Sequence, residues 1–202
     1  NVARACKELN AICVYISTGY VFDGKRNKPY MEEDVPSPIN VYGASKLSGE
    51  ILTQNYCTKN LVLRTSGLYG TVGSSGKGGN FVETMLRLAC DSATIQVVND
   101  QVVTPTYTKD LSKKLLDLLQ LSKHGVYHIT NEGGCSWYEF AKEIFRLSNK
   151  KVDLKPITSI DYNTRALRPA YSVLGHKLKQ IGIDNLRPWD SALKAYLLDR
   201  KH

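Results

Sequence analysis

Asn40-Val-Tyr-Gly-Ala-Ser-Lys-Leu-Ser-Gly-Glu50 is the stretch from which the rest of the chain can be read. Pro36, Pro38 and Asn40 mark an abrupt helix start, and Tyr42 and Lys46 then fall one turn apart on the same face. A phenol ordinarily titrates near ~10. An ammonium held close to it favours the ionised form, so the pair suits proton transfer at a carbonyl or an alcohol. Gly43 removes a side chain where something flat can approach. Spacing alone is not distinctive, because Tyr138-Glu-Phe-Ala-Lys142 repeats it. There Ser136-Trp-Tyr-Glu139 reads as a capping box opening an amphipathic helix, which makes Tyr138 and Lys142 one flank of a packed surface helix.

Upstream, Ile12-Cys-Val-Tyr-Ile16 is an apolar run of the kind expected of a parallel strand covered on both faces, and Ser17 and Thr18 follow at its carboxyl end. Ligands of open α/β sheets bind at that end, so a hydroxyl there can meet the Tyr42 helix across a crevice. Downstream, Leu61–Thr65 reads as a second buried strand, 80–90 and 108–121 as amphipathic helices, and 125–130 as a returning strand. Strand and helix alternate, which favours the α/β class. From Ser136 onward we expect one long helix, a short strand through Leu154, and helices near Leu174 and Pro188. Asn99-Asp-Gln101 and Thr104-Pro-Thr106 form a polar connection within reach of the crevice.

The longer string Ile16-Ser-Thr-Gly-Tyr-Val-Phe-Asp-Gly24, Pro29-Tyr30, Glu33-Asp34, Pro36, Pro38 and Asn40-Val-Tyr-Gly-x-x-Lys-Leu-x-Gly-Glu50 resembles the extended short-chain dehydrogenase/reductase superfamily. Within it, the chain is most similar to the dTDP-4-dehydrorhamnose reductase family. The similarity continues through Leu63-Arg-Thr-Ser66, Tyr69-Gly70, Asn80-Phe81-Val82, Asp100-Gln101, Thr104-Pro-Thr106, Asp110-Leu111, Ser136-Trp137 and Arg168-Pro169, in family order.

The resemblance implies a Rossmann-like, doubly wound parallel sheet with a smaller α+β substrate-binding lobe. Residues 1–72, with about 105–134 joining the sheet, would form the remainder of a dinucleotide-binding domain. Residues 73–104 and 135–202 would form the lobe. It also implies NADPH or NADH as cofactor and a nucleotide-sugar as substrate, reduced at its C4 keto group. Thr18 would hydrogen-bond the reacting oxygen, Tyr42 would supply its proton, and Lys46 would tune Tyr42 while binding the nicotinamide ribose. Ser17 joins Tyr42 and Lys46 on the cofactor side; Thr18, Tyr20, Asn80, Phe81 and Arg168 are the substrate-side residues. Some relatives use magnesium, for which no ligands can be matched here, and a homodimer is left open.

Two departures bear on the sugar. Gly19 stands where the family usually has Asp, and Gly67 where it usually has Trp. They leave the Thr18, Tyr42, Lys46 set intact and weaken the identification of the sugar. Another nucleotide-sugar reductase or epimerase, or a silent regulatory subunit like the methionine adenosyltransferase β-subunit, are the alternative readings. A third departure lies before Ile12, where no strand, Gly-rich turn and helix of the pyrophosphate-binding kind is found. The chain is therefore expected to be a carboxyl-terminal portion, with an open sheet edge at Ile12–Ile16. The stretch Gly70-Thr-Val-Gly-Ser-Ser-Gly-Lys-Gly-Gly79 does not fit a nucleoside-triphosphate loop, since Thr71 and Gly78 occupy the wrong positions; a loop over the crevice, with Lys77 near a diphosphate, is expected instead.

The 27 Lys and Arg outnumber the 19 Asp and Glu, for a net charge of +8. They are scattered, with no aromatic-interleaved basic stripe, which argues against nucleic acid as a partner. No apolar run is long enough to span a bilayer, which argues against a membrane. Cysteines at 6, 13, 57, 90 and 135 are odd in number and lack Cys-x-x-Cys spacing, so neither a disulfide framework nor a zinc site is expected, and a cytoplasmic location fits. His124 and His128 sit in a strand-like stretch and form no helical metal face, so no metal ligands are assigned.

Overall fold

A computed structural model of the chain describes residues 1–72, 79–91, 94–162 and 166–200. The middle of the Gly-rich stretch, with Lys77, lies outside the described residues.

The central sheet is parallel and three-stranded. Strand β1 (Cys13–Thr18) pairs with β2 (Asn60–Thr65), and β2 pairs on its other side with β7 (Gly125–His128). Parallel neighbours require crossovers. Helix α2 (Val41–Tyr56) supplies the one between β1 and β2, packing on both strands, and α4 (Thr108–Gln120) precedes β7. An amino-terminal helix α1 (Val2–Glu8) leans on α2 and buries none of its own side chains.

The two apolar strands differ in cover. All positions of β2 are buried, as its unbroken hydrophobic run predicts. On β1 the expectation of cover on both faces fails: Val14 is 36% exposed and Ile16 39%. Leu61 and Leu63 point instead into a closed cluster with Leu111, Leu118, Ile129 and Leu178. Truncating such a leucine costs about 2–5 kcal/mol.

A second and larger core is built by α3 (Phe81–Asp91), α5 (Trp137–Leu147) and α6 (Trp189–Asp199), with the parallel pair β4 (Thr94–Val98) and β9 (Asp153–Ile157). The capping box of α5 is formed in both directions: Glu139 N donates to Ser136 Oγ at 3.0 Å and Ser136 N to Glu139 Oε2 at 2.7 Å. Its buried face is Phe140, Ala141, Ile144 and Phe145. Tyr69, Tyr107, Phe140 and Tyr196 stack and edge against one another at its centre. Short pairs, β3 (Leu68–Tyr69) with β6 (Thr106–Tyr107) and β5 (Val102–Val103) with β8 (Cys135–Ser136), contribute Tyr69, Tyr107 and Cys135 to this core.

The helix expected near Leu174 is absent. Tyr30 N donates to Val173 O at 3.0 Å and Gly175 N to Tyr30 O at 2.9 Å, so this backbone is spent on an extended bridge to the segment around Tyr30. The helical turn comes later, as a 3₁₀ turn over Leu178–Ile181 ended by Gly182 at φ 78°. The helix expected near Pro188 is α6.

Candidate active site

The carboxyl end of β1 opens onto a cavity of about 700 Å³ whose walls include Thr18, Tyr20, Tyr42, Gly67, Trp137 and Arg168. Thr18 closes β1 and caps a short 3₁₀ turn, Gly19–Val21. Its Oγ1 accepts the backbone N–H of Tyr20 at 3.2 Å. One lone pair is thereby used, and the hydroxyl's own proton is left to be donated toward the cavity.

Opposite, α2 begins at Asn40, whose Oδ1 accepts from Gly43 N at 2.7 Å and whose Nδ2 donates to Leu167 O at 2.9 Å. A single cap thus fixes both the first turn of α2 and the segment that carries Arg168. Gly43 does receive a flat group, but it is main chain: a Cβ there would stand 2.1 Å from Tyr20 O. This close approach brings the first turn of α2 onto the Tyr20 backbone and sets the Tyr42 ring edge-on to Tyr20, with centroids 6.0 Å apart at 83°. Tyr42 is 54% exposed, on the cavity side.

Burial pushes the Tyr20 phenol above its ordinary range, and the Arg168 charge opposes that shift. A phenol kept protonated is a hydrogen-bond donor. Arg168 has no carboxylate partner among the described residues and is exposed at the cavity wall, which leaves its planar fork available to an anion.

Thr18, Tyr20, Tyr42 and Arg168 are therefore brought together. The other residues singled out from sequence lie elsewhere. Lys46 sits one turn along α2 from Tyr42, with Nζ 4.4 Å from the centroid of the Tyr15 ring, and is not on the cavity wall. Ser17 is buried and donates its hydroxyl to Glu50. Asn80 starts α3, accepting from Glu83 N at 3.1 Å and donating to Gly70 O at 2.8 Å. Phe81 packs against Trp137 with centroids 4.7 Å apart, so it supports the wall from behind.

Trp137, Ser66, Val103 and Leu167 line the cavity beyond the residues assigned to it from sequence. Trp137 was legible as the first residue of a capped amphipathic helix and as part of the Ser136-Trp137 match to the family, not as a cavity residue; its buried Nε1 has no partner among the described residues, a feature that periodicity does not reveal. Of the polar connection near 100, Val103 alone reaches the wall, while Thr104 is buried with its hydroxyl donating to Gly133 O at 2.8 Å.

Gly67, at φ 55°, sits where a Cβ would lie 2.9 Å from Thr104 O, so a larger residue there needs both a strained backbone and a shift of the neighbouring turn. At Gly19 a Cβ would meet Ser172 O at 3.1 Å. Both glycines belong to the local backbone geometry, and Gly67 also lines the cavity.

His128 is fully buried. Its Nδ1 lies 2.7 Å from Gly175 O and 3.1 Å from Tyr30 O, and two carbonyls can only accept, so Nδ1 carries the proton. Burial and the Arg64 charge push its pKa down to about 3. No group of three His, Cys, Asp or Glu side chains is arranged to hold a metal ion among the described residues. In the same residues no helix is long and apolar enough to cross a membrane.

Comparison with known proteins agrees with this architecture. The chain is 43% identical over 193 residues to the spore coat polysaccharide biosynthesis protein SpsK of Bacillus subtilis, covering 95% of this chain and 66% of that protein. It is 37% identical over 201 residues to a dTDP-4-dehydrorhamnose reductase of Streptomyces griseus, covering 96% and 64%. The crystal structure of a dTDP-4-dehydrorhamnose reductase from Bacillus anthracis in complex with NADP superposes with a TM-score of 0.93 at 41% identity, over 98% of this chain and 69% of that one. The chain thus spans about two thirds of the length of the relatives it matches. The sequence profile of the RmlD substrate binding domain covers residues 1–201. With that coverage, and with a cavity at the strand end where the superposed reductases share the same α/β frame, the chain belongs to the RmlD substrate binding domain family.

Proposed function

We propose that this chain carries the substrate-binding and proton-donating part of a nicotinamide-dependent reductase that converts dTDP-4-dehydrorhamnose to dTDP-L-rhamnose. The observation that carries the reading is the facing of two hydroxyls across one cavity: Tyr42, exposed on α2, and Thr18, whose acceptor capacity is already partly used by Tyr20 N. A reduced nicotinamide dinucleotide, when bound, supplies the hydride for the C4 carbon. Tyr42 gives its proton to the C4 oxygen, and Thr18 donates a hydrogen bond to the same oxygen as negative charge develops there. Lys46, one turn along α2 from Tyr42, would hold the nicotinamide ribose of that cofactor and would support reprotonation of the phenol after it has given its proton. Residues 1–72 with 105–134 form the cofactor side of the protein, and 73–104 with 135–202 the substrate lobe.

Arg168 and the Tyr20 hydroxyl suit the diphosphate and the sugar, and Trp137 offers a flat indole for a base or a sugar ring. Names of relatives and the NADP complex support the assignment of cofactor and substrate. Gly67, which lines the cavity where the family usually has Trp, makes another dTDP-4-keto sugar the variant of this reading to be tested. The test is oxidation of NADPH by the full protein containing this chain, with dTDP-4-dehydrorhamnose and with other dTDP-4-keto sugars as alternatives. Turnover with the first at a rate above the others supports the assignment; turnover with none removes the enzymatic reading.

A further inference from the structure

Glu50 is buried on α2, two turns below Tyr42 and one below Lys46, and at i,i+4 from a lysine it stands where an ion pair normally forms along a helix. Here the carboxylate is taken elsewhere. Oε1 accepts the Ser17 hydroxyl and, at 3.0 Å, Arg64 Nε; Oε2 accepts Arg64 Nη2 at 2.7 Å and Nε at 3.2 Å. Arg64 is itself buried, with Nη1 3.5 Å from Glu32 O and 3.5 Å from His128 Nε2. Because His128 Nδ1 holds the imidazole proton, Nε2 faces the guanidinium as an acceptor. Three elements meet at one carboxylate: α2, the end of β1 one residue before Thr18, and β2. Lys46 is left with its ammonium over the Tyr15 ring, and Tyr15 is itself seated where Gly49 has no side chain.

Resting on the reductase reading above, we infer that Glu50 is a positioning residue: clamped by Arg64 and Ser17, it fixes the strand end carrying Thr18 against the helix carrying Tyr42 and keeps a carboxylate away from Lys46. Neither Glu50 nor Arg64 reaches the cavity wall, so the pair acts only through the groups that do. A buried ion pair is seldom the most stable filling for its volume, and an apolar pair of similar size often holds a fold equally well. That separates positioning from mere support.

The experiment uses the full protein containing this chain and three variants: Tyr42→Phe, Glu50→Gln, and the double replacement Glu50→Leu with Arg64→Met. Tyr42→Phe lowers turnover by about a thousandfold if the reductase reading holds; if wild-type protein shows no turnover, or Tyr42→Phe keeps the wild-type rate, that reading falls and this inference with it. Given that control, the double variant is expected to melt close to wild type and to bind the nucleotide-sugar with KM within about threefold, yet to lose kcat by about a hundredfold, the scale on which a misplaced reacting group costs rate. Glu50→Gln, which leaves Arg64 without its charge partner, is expected to lose both melting temperature and kcat. Should the double variant regain both melting temperature and wild-type kcat, the clamp is only structural and the inference is overturned. If the double variant does not fold, the decision passes to Glu50→Asp: a kcat deficit at unchanged KM and unchanged melting temperature supports positioning, and wild-type kcat overturns it.

Discussion

On α2, Tyr42 stands 54% exposed at a cavity beside Thr18, whereas on α5 the tyrosine of the same Tyr-x-x-x-Lys spacing, Tyr138, is half buried against the aromatic core and Lys142 is turned to solvent. The difference arises on the opposite faces of the two helices. Helix α5 is held by Phe140, Ala141, Ile144 and Phe145, a wide apolar stripe that takes its neighbours into the core with it. Helix α2 buries Gly43, Glu50 and Thr53 and packs by close approach at Gly43 and Gly49, by the Glu50 charge and by Leu47 in place of a wide apolar stripe, and its tyrosine is left to face the cavity. An exposed phenol at a cavity follows from what the rest of the helix packs against, and identical spacing on the two helices therefore gives two different settings.

Substituting the two tyrosines gives the largest contrast. Tyr42→Phe is expected to lower turnover of dTDP-4-dehydrorhamnose by about a thousandfold, within the usual range for a lost general acid, while leaving nucleotide-sugar affinity nearly unchanged. Tyr138→Phe is expected to turn over like wild type. Steady-state rates of NADPH oxidation for both variants check the pair.

Acid should separate the two helices next. An unfolded histidine titrates near ~6.5, and His128, beside the Arg64 that clamps α2, is held down at about 3 by burial and by that guanidinium. Between those values the unfolded chain binds a proton that the folded one does not, so stability rises with pH across the window and is lost as pH falls from ~6.5 toward 3. Opening free energies from amide hydrogen exchange, corrected for the pH dependence of the intrinsic rate, are expected to fall on acidification in β2 and β7 before they fall in α5. His128→Gln should flatten that dependence; an equal fall in both regions would remove the distinction.

Arginines give a smaller contrast. Arg168→Ala is expected to weaken thymidine diphosphate binding roughly tenfold, the scale of one charge-assisted hydrogen-bonded contact, as measured by calorimetry. Arg146, paired with Glu143 at 2.6 Å on the exposed side of α5, should be replaceable by Ala without effect on that affinity.

Helix caps give the smallest. Asn40→Ala and Ser136→Ala should each cost about 1 kcal/mol in denaturant unfolding. Asn40→Ala should also raise KM, because the Asn40 amide holds the Leu167 carbonyl beside Arg168; Ser136→Ala should leave KM alone.

The strands, the main helices and the α5 cap were legible because their signals are local: apolar runs, periodicity of 3.6, and a reciprocal Ser and Glu. Thr18, Tyr20, Tyr42 and Arg168 were legible through the resemblance, and the structure gathers them at one cavity. What the sequence did not disclose depends on contacts distant in the chain. The bridge of Leu174 to Tyr30 replaces an expected helix with extended backbone. The Ser17 hydroxyl, assigned from sequence to the cofactor side, is buried and donates to a carboxylate 33 residues away. Gly43 answers to the Tyr20 carbonyl. Trp137 reaches the cavity because Phe81 backs it, a pairing that no spacing rule encodes.

The most direct test of the central claim, that Thr18, Tyr42 and Arg168 share one nucleotide-sugar cavity, is an NMR titration of the isotope-labelled chain with dTDP-L-rhamnose. The account predicts saturable shifts confined to Thr18, Tyr20, Tyr42, Gly67 and Arg168, together with the indole N–H of Trp137, whose Nε1 has no partner among the described residues. Shifts clustered instead around Glu83, Arg87 and Lys194, which line a separate cleft between α3 and α6, or no shifts at saturating ligand, would contradict it.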